Sequence, residues 1–459
     1  MSAGPPVEDP AAPSPAPRPF PVTHRSVLAI AVPMTLAFVT TPLLGLVDTA
    51  VVGRSGVEAQ LAGLAVGAIV FDVVFTTFNF LRAGTTGLVA QAFGRDDAPE
   101  QTAVLLRALL LAAGLGLLVL VLSAPILALG LWLVAPGPAV GEATALYFSV
   151  RILAAPLTLG NYVVLGWALG RARAGLGLAL QVVLNGTNIA LSLWLGLHLG
   201  WNIEGVAWAT VAAEAVALAL GLLVAWRSLR GTALPARVAV LDGAAFMRLL
   251  RLNRDIMIRS FCLLGTFFAF TAFGARFGTT TLAANAVLMN FFLVGGFFLD
   301  GLATAAEQLA GRAIGARWAP AFDRAVRLTL GWGLVMGALL SLAALVFGPL
   351  LIDVLTTAPP VRALAREYLA WAALTALVGA AAFQMDGVFI GATWSAEMRD
   401  WMLVSTALFA LVAWVASGPM GNHGLWLALL VFLGARGATL LWRLPRRRDE
   451  TFAAPRPAG

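Results

Sequence analysis

The sequence predicts an all-α polytopic membrane protein with twelve transmembrane helices in two pseudo-symmetric six-helix bundles. Composition is the first observation: of 459 residues, 60% are hydrophobic and only 12% are charged, whereas soluble domains carry about 25% charged residues. The second observation is a set of twelve apolar segments, each near the length of about 20 residues that crosses a bilayer. The third is an internal repeat between the two halves of the chain. We therefore expect a lipid bilayer around most of the molecule.

The apolar segments form two groups of six. They lie near 27–53, 59–84, 104–130, 144–170, 175–198, 203–226, 255–277, 281–311, 325–352, 363–392, 398–418 and 422–443. An arginine-bearing stretch separates the two groups. This pattern predicts an N-terminal bundle over 25–226, a cytoplasmic linker over 227–254 and a C-terminal bundle over 255–443.

The repeat joins residues 61–94 to residues 282–315 in a gapless alignment offset by 221 positions, with ten identities. The two copies end on matched turns, Ala92–Gly94 and Ala313–Gly315. Two halves of similar hydropathy are a known plan of membrane carriers, in which the substrate path lies between the halves. The repeat therefore predicts that the protein moves a substrate across the bilayer.

The basic residues predict the orientation in the membrane. All 30 of them are arginines, and most lie in the tails, the loops and the span ends on the side of the two termini. The positive-inside rule places that side in the cytoplasm, so we expect a multi-pass protein of the plasma (inner) membrane with both termini cytoplasmic. The net charge of +7 then reflects topology. Because no basic cluster is interleaved with stacking aromatic residues, we expect no nucleic-acid partner.

The tails and the reactive residues further limit the classes of protein that the sequence can encode. Residues 1–24 are rich in proline and alanine and predict a disordered cytoplasmic tail. Residues 444–459 predict a basic cytoplasmic tail that anchors the last span at anionic headgroups. The single cysteine, Cys262, lies within the seventh span, and no residues have metal-ligand spacing or form a catalytic motif. We expect no metal, no cofactor and no enzyme activity, and the lack of a coiled-coil or dimer motif favours a monomer.

Six carboxylates lie inside the predicted spans, where a charge is expensive unless it faces a cavity or a partner. They are Asp48, Asp72, Glu214, Asp300, Glu307 and Asp386. We interpret Asp72 and Glu214 as residues that pack helices together.

Asp48 is the strongest functional candidate among these carboxylates. It lies about five residues from the outer end of the first span, roughly 8 Å deep at 1.5 Å per residue, and the repeat has Ala269 at the equivalent position. Burial favours the neutral form of a carboxyl group, so Asp48 can load and release a proton. Two alternatives stay open: a structural carboxylate bonded permanently to neighbouring hydroxyls, and a ligand of sodium. Pro33 and Pro42 precede Asp48 on the same helix, and each can bend it.

Other polar residues of the N-terminal half reach a similar depth. Asn185, Asn188 and Ser192 are spaced i, i+3 and i+7, so they share one helical face, and Thr210 lies on the next span. Together with Asp48 they predict a polar cavity in the outer half of the N-terminal bundle. The alternative for such residues is hydrogen bonding between packed helices.

The C-terminal half carries its own polar residues within spans. They are Asn285, Asp300 and Glu307 on the eighth span and Asp386 on the tenth. Either these residues point into a cleft between the halves, or the carboxylates pair with arginines such as Arg259 or Arg312.

Several stretches resemble the multidrug and toxic compound extrusion (MATE) family. They begin with Val47-Asp48-Thr49, Gly53 and Leu88–Gly94. Similarity to the DinF-like branch rests on Arg151 with Ala155-Pro156, Gly166-Trp167, Leu282–Asn285, Leu299-Asp300-Gly301, Ala306-Glu307, Met385-Asp386-Gly387 and Gly391-Ala392-Thr393. The similar stretches cover roughly residues 25–443.

The resemblance implies a V-shaped pair of bundles and a cation-driven export of amphipathic organic cations. It implies that Asp48 is the coupling carboxylate and that Pro33 lies at the bend of the first helix. It also implies that Asn188 and Thr210 are polar partners in the same pocket. Ser192 is a departure, because relatives often carry a second acid there, one turn after the asparagine. The missing carboxylate favours protonation of Asp48 over binding of sodium.

These observations predict an antiporter that couples the export of amphipathic, cationic drugs to protons, with sodium as the alternative ion. Two other classes stay open. One is a flippase for lipid or lipid-linked precursors on the same fold, which a cleft lined by arginines would favour. The other is a membrane component with a structural or stress-protective role.

Overall fold

Every helix that the sequence predicts to cross the membrane is present. The computed structural model describes residues 17–230 and 237–453, and this part of the chain contains twelve helices long and apolar enough to span a bilayer. They are α1 His24–Gly53, α2 Glu58–Gly94, α3 Ala98–Val121, α4 Pro138–Gly170, α5 Ala174–His198, α6 Asn202–Leu229, α7 Gly243–Ala275, α8 Thr279–Gly315, α9 Ala319–Leu355, α10 Pro359–Gly391, α11 Ser395–Met420 and α12 Asn422–Phe452. The prediction of an all-α protein with twelve spans is confirmed.

The twelve crossings put the start of α1 and the end of α12 on one side, here called the termini face, and the other side is called the opposite face. Helices α1 to α6 pack mainly with one another, and so do α7 to α12. Between these two halves, α1 and α2 pack against α8, and α2 also contacts α7 and α10.

The buried apolar residues form two clusters, one shared by both halves and one confined to the C-terminal half. The larger cluster runs through the N-terminal half and continues into the C-terminal half at its termini side, for example at Leu302 and Phe322. The smaller cluster, around Phe270 and Trp426, is confined to the C-terminal half near the opposite face. The halves therefore share one core at the termini face and separate toward the opposite face.

Prolines explain two irregular segments. Helix α3 ends at Val121, earlier than the predicted span over 104–130, and a short helix, Ser123–Val134, follows it. The ring of Pro125 would collide with the carbonyl of Val121 in a continuous helix. In α4, Pro156 has no N–H for the carbonyl of Ile152, which instead accepts from Ala155 in a 3₁₀ turn.

Two further irregularities lie next to polar residues. Helix α2 breaks at Phe78 and Asn79, and the side chain of Asn79 accepts a hydrogen bond of 3.1 Å from Nε of Arg82. The last segment of α5, Ser192–His198, is a π-helix. Such wide turns are frequent at functional sites.

Helices extend beyond the predicted spans at two charged segments. The predicted linker over 227–254 is partly helical, because α6 continues to Leu229, a short helix covers Arg237–Val240 and α7 begins at Gly243. The predicted tail over 444–459 is helical as far as Phe452. Ion pairs within the helix, from Arg446 and Arg447 to Glu450, support this extension. Of the predicted N-terminal tail, residues 1–16 lie outside the described residues.

Glycines bring the two halves together at the termini face in a reciprocal contact. A Cβ at Gly94 would collide with the carbonyl oxygen of Arg312, and a Cβ at Gly315 would collide with the carbonyl oxygen of Gln91. Gln91 and Arg312, like Gly94 and Gly315, are equivalent positions of the repeat. The side chain of Gln91 also donates to the carbonyl of Gly391 at 3.1 Å. We call this contact between α2 and α8 the glycine seam.

A methyl group added at the glycine seam should destabilise the fold. Gly94→Ala and Gly315→Ala each place a Cβ against a backbone carbonyl, and overpacking of this kind costs about 1–3 kcal/mol. Gly114→Ala is the matched control, because a Cβ at Gly114 meets nothing within 4 Å. We expect thermal unfolding in detergent to show a lower midpoint for both seam variants and no loss for the control. Equal midpoints for all three variants would contradict the close packing of the seam.

Candidate functional site

A cavity of about 800 Å³ lies between the two halves. All six carboxylates that the sequence places inside spans line it: Asp48, Asp72 and Glu214 from the N-terminal half, and Asp300, Glu307 and Asp386 from the C-terminal half. Three arginines, Arg82, Arg151 and Arg259, line it as well. Glu214 also joins two helices, as interpreted from the sequence, because Nδ2 of Asn161 on α4 donates to it at 2.6 Å. For Asp72 the helix-packing role stays a prediction.

Asp48 is held by a chain of polar side chains, of which Asn188 and Thr210 also line the cavity. Its carboxylate accepts a hydrogen bond of 3.0 Å from the hydroxyl of Ser192, and that hydroxyl lies 3.4 Å from Oδ1 of Asn188. Nδ2 of Asn188 donates to the hydroxyl of Thr210 at 3.0 Å. Asp48 is 8% exposed and Ser192 is completely buried. The structure thus brings four of the predicted pocket residues into one network.

Asn185 lies in a separate contact. It lines the cavity, and its Nδ2 donates to the hydroxyl of Thr40 on α1 at 2.7 Å. Sequence reasoning missed Thr40, although a threonine in the middle of the apolar first span is a visible signal. The contact ties α5 to α1 about two turns before Asp48.

Arg151 lies in the N-terminal wall of the cavity at the 3₁₀ turn of α4. Its guanidinium donates to the hydroxyl of Tyr147 and lies 4.6 Å from the centre of the Phe71 ring. It lines the same cavity as Asp48 and Asp72, but within the described residues no carboxylate oxygen lies close enough to it for an ion pair. In the sequence, Arg151 was noted only among the residues that resemble the DinF-like branch and was not assigned to a site.

The carboxylates of the C-terminal half combine both expected arrangements, since they line the cavity and most also pair with arginines. Glu307 lies 3.5 Å from Arg82 of α2, so this ion pair joins the two halves. Asp386 binds Arg259 and also Arg436 at 2.5 Å. Arg312, offered as a partner from the sequence, instead lies over the rings of Phe20 and Phe93.

Asn285 is not a cleft residue. It forms a reciprocal amide pair with Asn422, with bonds of 2.8 and 2.9 Å, and its Oδ1 also accepts from the indole of Trp426 at 2.9 Å. All three residues are buried inside the C-terminal half. The prediction of a cleft position for Asn285 is therefore wrong, because these partners on α12 satisfy its hydrogen-bonding groups.

Pro33 lies within a continuous α1, beside a close contact with the C-terminal half. A Cβ at Gly301 of α8 would collide with the hydroxyl of Thr35 and lie 2.9 Å from the carbonyl oxygen of Ala31. The two α1 residues flank Pro33, so the predicted bend position lies at a close contact between α1 and α8. Asp300 is the neighbour of this glycine in the cavity wall.

The fold and the cavity together define a class of protein. Twelve spans form two repeat-related halves, the buried charges line one cavity between them, and a seam closes the halves at one face. That is the architecture of a membrane transporter with its substrate path between the halves. Among the residues that the structure describes, no three His, Cys, Asp or Glu side chains are grouped to hold a metal ion.

The chain belongs to the MatE family, whose profile matches residues 33–194 and 256–415. Members of this family are ion-coupled transporters, not enzymes. The resemblance that the sequence motifs suggested is thereby confirmed.

Relatives and solved structures match most of the chain. The DNA damage-inducible protein F of Escherichia coli (strain K12) is 41% identical over 94% of this chain and 95% of its own length, which places the chain in the DinF-like branch. The probable multidrug resistance protein NorM of Chromobacterium violaceum is 27% identical over 92% of this chain and 93% of its own length. A multidrug resistance MATE family transporter in an outward-facing conformation shares the fold, with a TM-score of 0.83 over 94% of this chain and 97% of that chain at 18% identity.

Removal of the Asp386 carboxylate should destabilise the protein strongly. Asp386→Asn leaves the buried Arg436 and its neighbour Arg259 without a counter-charge, and breaking a buried ion pair in this way costs about 3–5 kcal/mol. Asp353→Asn is the control, because Asp353 pairs with Arg366 in an exposed contact of a type worth about 1 kcal/mol or less. Thermal unfolding should separate the two variants clearly. Similar midpoints would argue that cavity water, and not Asp386, compensates the arginines.

Proposed function

We propose that this transporter is a proton-coupled antiporter that exports amphipathic organic cations by alternating access. The observation that carries the proposal is the setting of Asp48: a nearly buried carboxylate that faces the cavity and is held by one hydroxyl group. A group in this setting can exchange a proton with cavity water and can also attract a cationic substrate. Competition of proton and substrate for one carboxylate is the simplest form of antiport.

The composition of the network around Asp48 favours the proton over sodium as the coupling ion. Hard cations are held by several oxygen ligands around one point. Within the described residues, Ser192 is the single side chain that donates to Asp48. Ser192 itself stands where relatives often carry a second carboxylate. One hydroxyl group suits a carboxyl group that switches between its charged and neutral forms.

The same hydroxyl group offers a way to transmit the protonation state. A serine hydroxyl has one proton to donate. When Asp48 is ionised, the hydroxyl of Ser192 donates its proton to the carboxylate. When Asp48 is protonated, the carboxyl group donates to the hydroxyl of Ser192, and the hydroxyl proton then turns to Oδ1 of Asn188. Protonation would thus strengthen the link between Ser192 and Asn188 and replace the charge-assisted bond to Asp48 by a weaker neutral one.

Helix α1 connects this switch to the interface of the two halves. Asp48 lies on α1, and the segment of α1 around Pro33 packs against Gly301 of α8. Because Pro33 weakens the helix locally, a movement of α1 would bend it there and change its contact with α8. The ion and the substrate must bind the two states differently to drive this change, and Asp48 lies where both can act on it.

The distribution of the arginines supports one orientation in the membrane. With the termini face in the cytoplasm, as the positive-inside rule favours, the glycine seam would close the cytoplasmic side and the cavity would belong to a state open to the outside. Protons entering from outside would reach Asp48 and displace the substrate, and the return step would release the protons into the cytoplasm.

A second candidate is the export of lipid or lipid-linked precursors. The arginines Arg82, Arg151 and Arg259 in the cavity wall favour it, because they could hold an anionic headgroup. Two of them are already paired with Glu307 and Asp386, which leaves Arg151 for such a role. Gradient-driven movement of a fluorescent anionic lipid between leaflets, without any dye transport, would favour this candidate.

Replacing Asp48 should abolish coupling. Asp48→Asn keeps the hydrogen bond with Ser192 but cannot exchange a proton, so we expect ethidium transport in proteoliposomes under an imposed pH gradient to fall to the level of protein-free liposomes. Asp353→Asn, outside the cavity, should keep the wild-type rate. Thermal unfolding of the variants checks that the fold is retained. Wild-type transport by Asp48→Asn, or transport by the wild type under a sodium gradient alone, would refute proton coupling through this residue.

Introducing a second carboxylate at position 192 should change the coupling ion from the proton to sodium. Ser192→Asp places a carboxylate beside Asp48 and Asn188, which creates the beginning of a cation cage. We expect an imposed sodium gradient to drive ethidium transport in this variant and not in the wild type, with Ser192→Ala as a control that adds no charge. No sodium response in Ser192→Asp would show that the missing acid does not set the ion preference.

A further inference from the structure

Within the described residues, two carboxylates of the cavity differ from the other four in forming neither a hydrogen bond nor an ion pair. Asp48, Glu214, Glu307 and Asp386 each accept a hydrogen bond or form an ion pair; for Glu214 the donor is Asn161, at 2.6 Å. Asp72 and Asp300 are exposed to the cavity, and within the described part of the chain neither side chain forms a hydrogen bond or an ion pair. A charged group without a protein partner next to open space is available for a ligand.

The two free carboxylates come from different halves and from different depths. Asp72 lies on α2 and Asp300 on α8, which are equivalent helices of the repeat. With the offset of 221 positions, Asp300 corresponds to Asn79, seven residues beyond Asp72. Seven residues of helix correspond to about 10 Å along the helix axis. A ligand that reaches both carboxylates would therefore need two charged groups at the ends of an extended body.

The charge of the whole cavity leads to the same conclusion. Six carboxylates line it, against the three lining arginines and Arg436, which binds Asp386. When all carboxylates are ionised, two negative charges remain without compensation. The walls between the charged groups include aromatic side chains such as Phe38, Phe75 and Phe383, which suit a flat apolar body.

We infer that Asp72 and Asp300 form a two-point site for dicationic amphiphiles, molecules in which an aromatic or apolar body separates two positive charges. This inference rests on the proposed export of organic cations and names the charge of the substrates that the cavity prefers. It also fits antiport. Protonation of Asp48 lowers the excess negative charge of the cavity from two to one, which weakens the hold on a dication more than the hold on a monocation.

Ethidium and propidium test the inference, because they share one ring system and differ in charge. Ethidium carries one positive charge, and propidium adds a quaternary ammonium arm that gives it two. We expect wild-type protein in nanodiscs to bind propidium at least about tenfold more tightly than ethidium, measured by dye fluorescence. Asp72→Asn and Asp300→Asn should each reduce this ratio to about threefold or less. Asp72→Glu, which keeps the charge, should retain most of it.

Asp353→Asn is the matched control, since Asp353 lies outside the cavity and its loss should leave the ratio at the wild-type value. Neither free carboxylate has a partner to lose, so both variants should fold, which thermal unfolding verifies. Equal affinity of the wild type for the two dyes, or a preference for propidium that survives in both variants, would overturn the two-point site. Ethidium transport under a pH gradient would then still support the proposed function, whereas its absence, or binding of neither dye, would overturn both.

Discussion

The cost of a charge in hydrocarbon is the constraint on which the rest of this structure depends. A carboxylate or guanidinium within a span must face water, a partner or both. Six carboxylates and three arginines meet this requirement in one place, the cavity between the halves. The lipid-facing surface can then remain apolar, and the chain concentrates its buried charges between the two halves.

The cavity exists because the halves approach closely at one face and separate at the other. Glycines make the close approach possible: Gly94 and Gly315 let the backbones of α2 and α8 touch, and Gly301 does the same for α1 and α8. The contact at Gly94 and Gly315 is reciprocal, as expected where equivalent helices of a repeat cross near a pseudo-two-fold axis. A transporter of this kind needs a closure that can reopen, and contacts between backbones with little side-chain interlocking meet that need.

The two halves share a fold but differ in chemistry. In the N-terminal half Asp48 has hydroxyl and amide neighbours, whereas in the C-terminal half Asp386 lies between two arginines and Glu307 binds an arginine across the interface. The repeat position of Asp48 is Ala269, so duplication of the fold did not duplicate this site. Asp386 is thus compensated by two positive charges, whereas the one side chain that donates to Asp48 within the described residues is a neutral hydroxyl.

Hydropathy and periodicity in the sequence determined the membrane class, the twelve helices and the shared face of Asn185, Asn188 and Ser192, because a bilayer leaves a helix as the one solution for an apolar segment of this length. Only the tertiary structure decided which polar groups pair: Glu307 pairs with Arg82 and Asn285 with Asn422. Within the described residues, Asp72 and Asp300 form no hydrogen bond or ion pair. In the charged segments and near Pro125, the helices also end at other residues than hydropathy predicts, because hydropathy takes no account of capping, ion pairs or proline. Pairing depends on the rotation and tilt of one helix against another, which packing at the seam sets, and no local pattern encodes it.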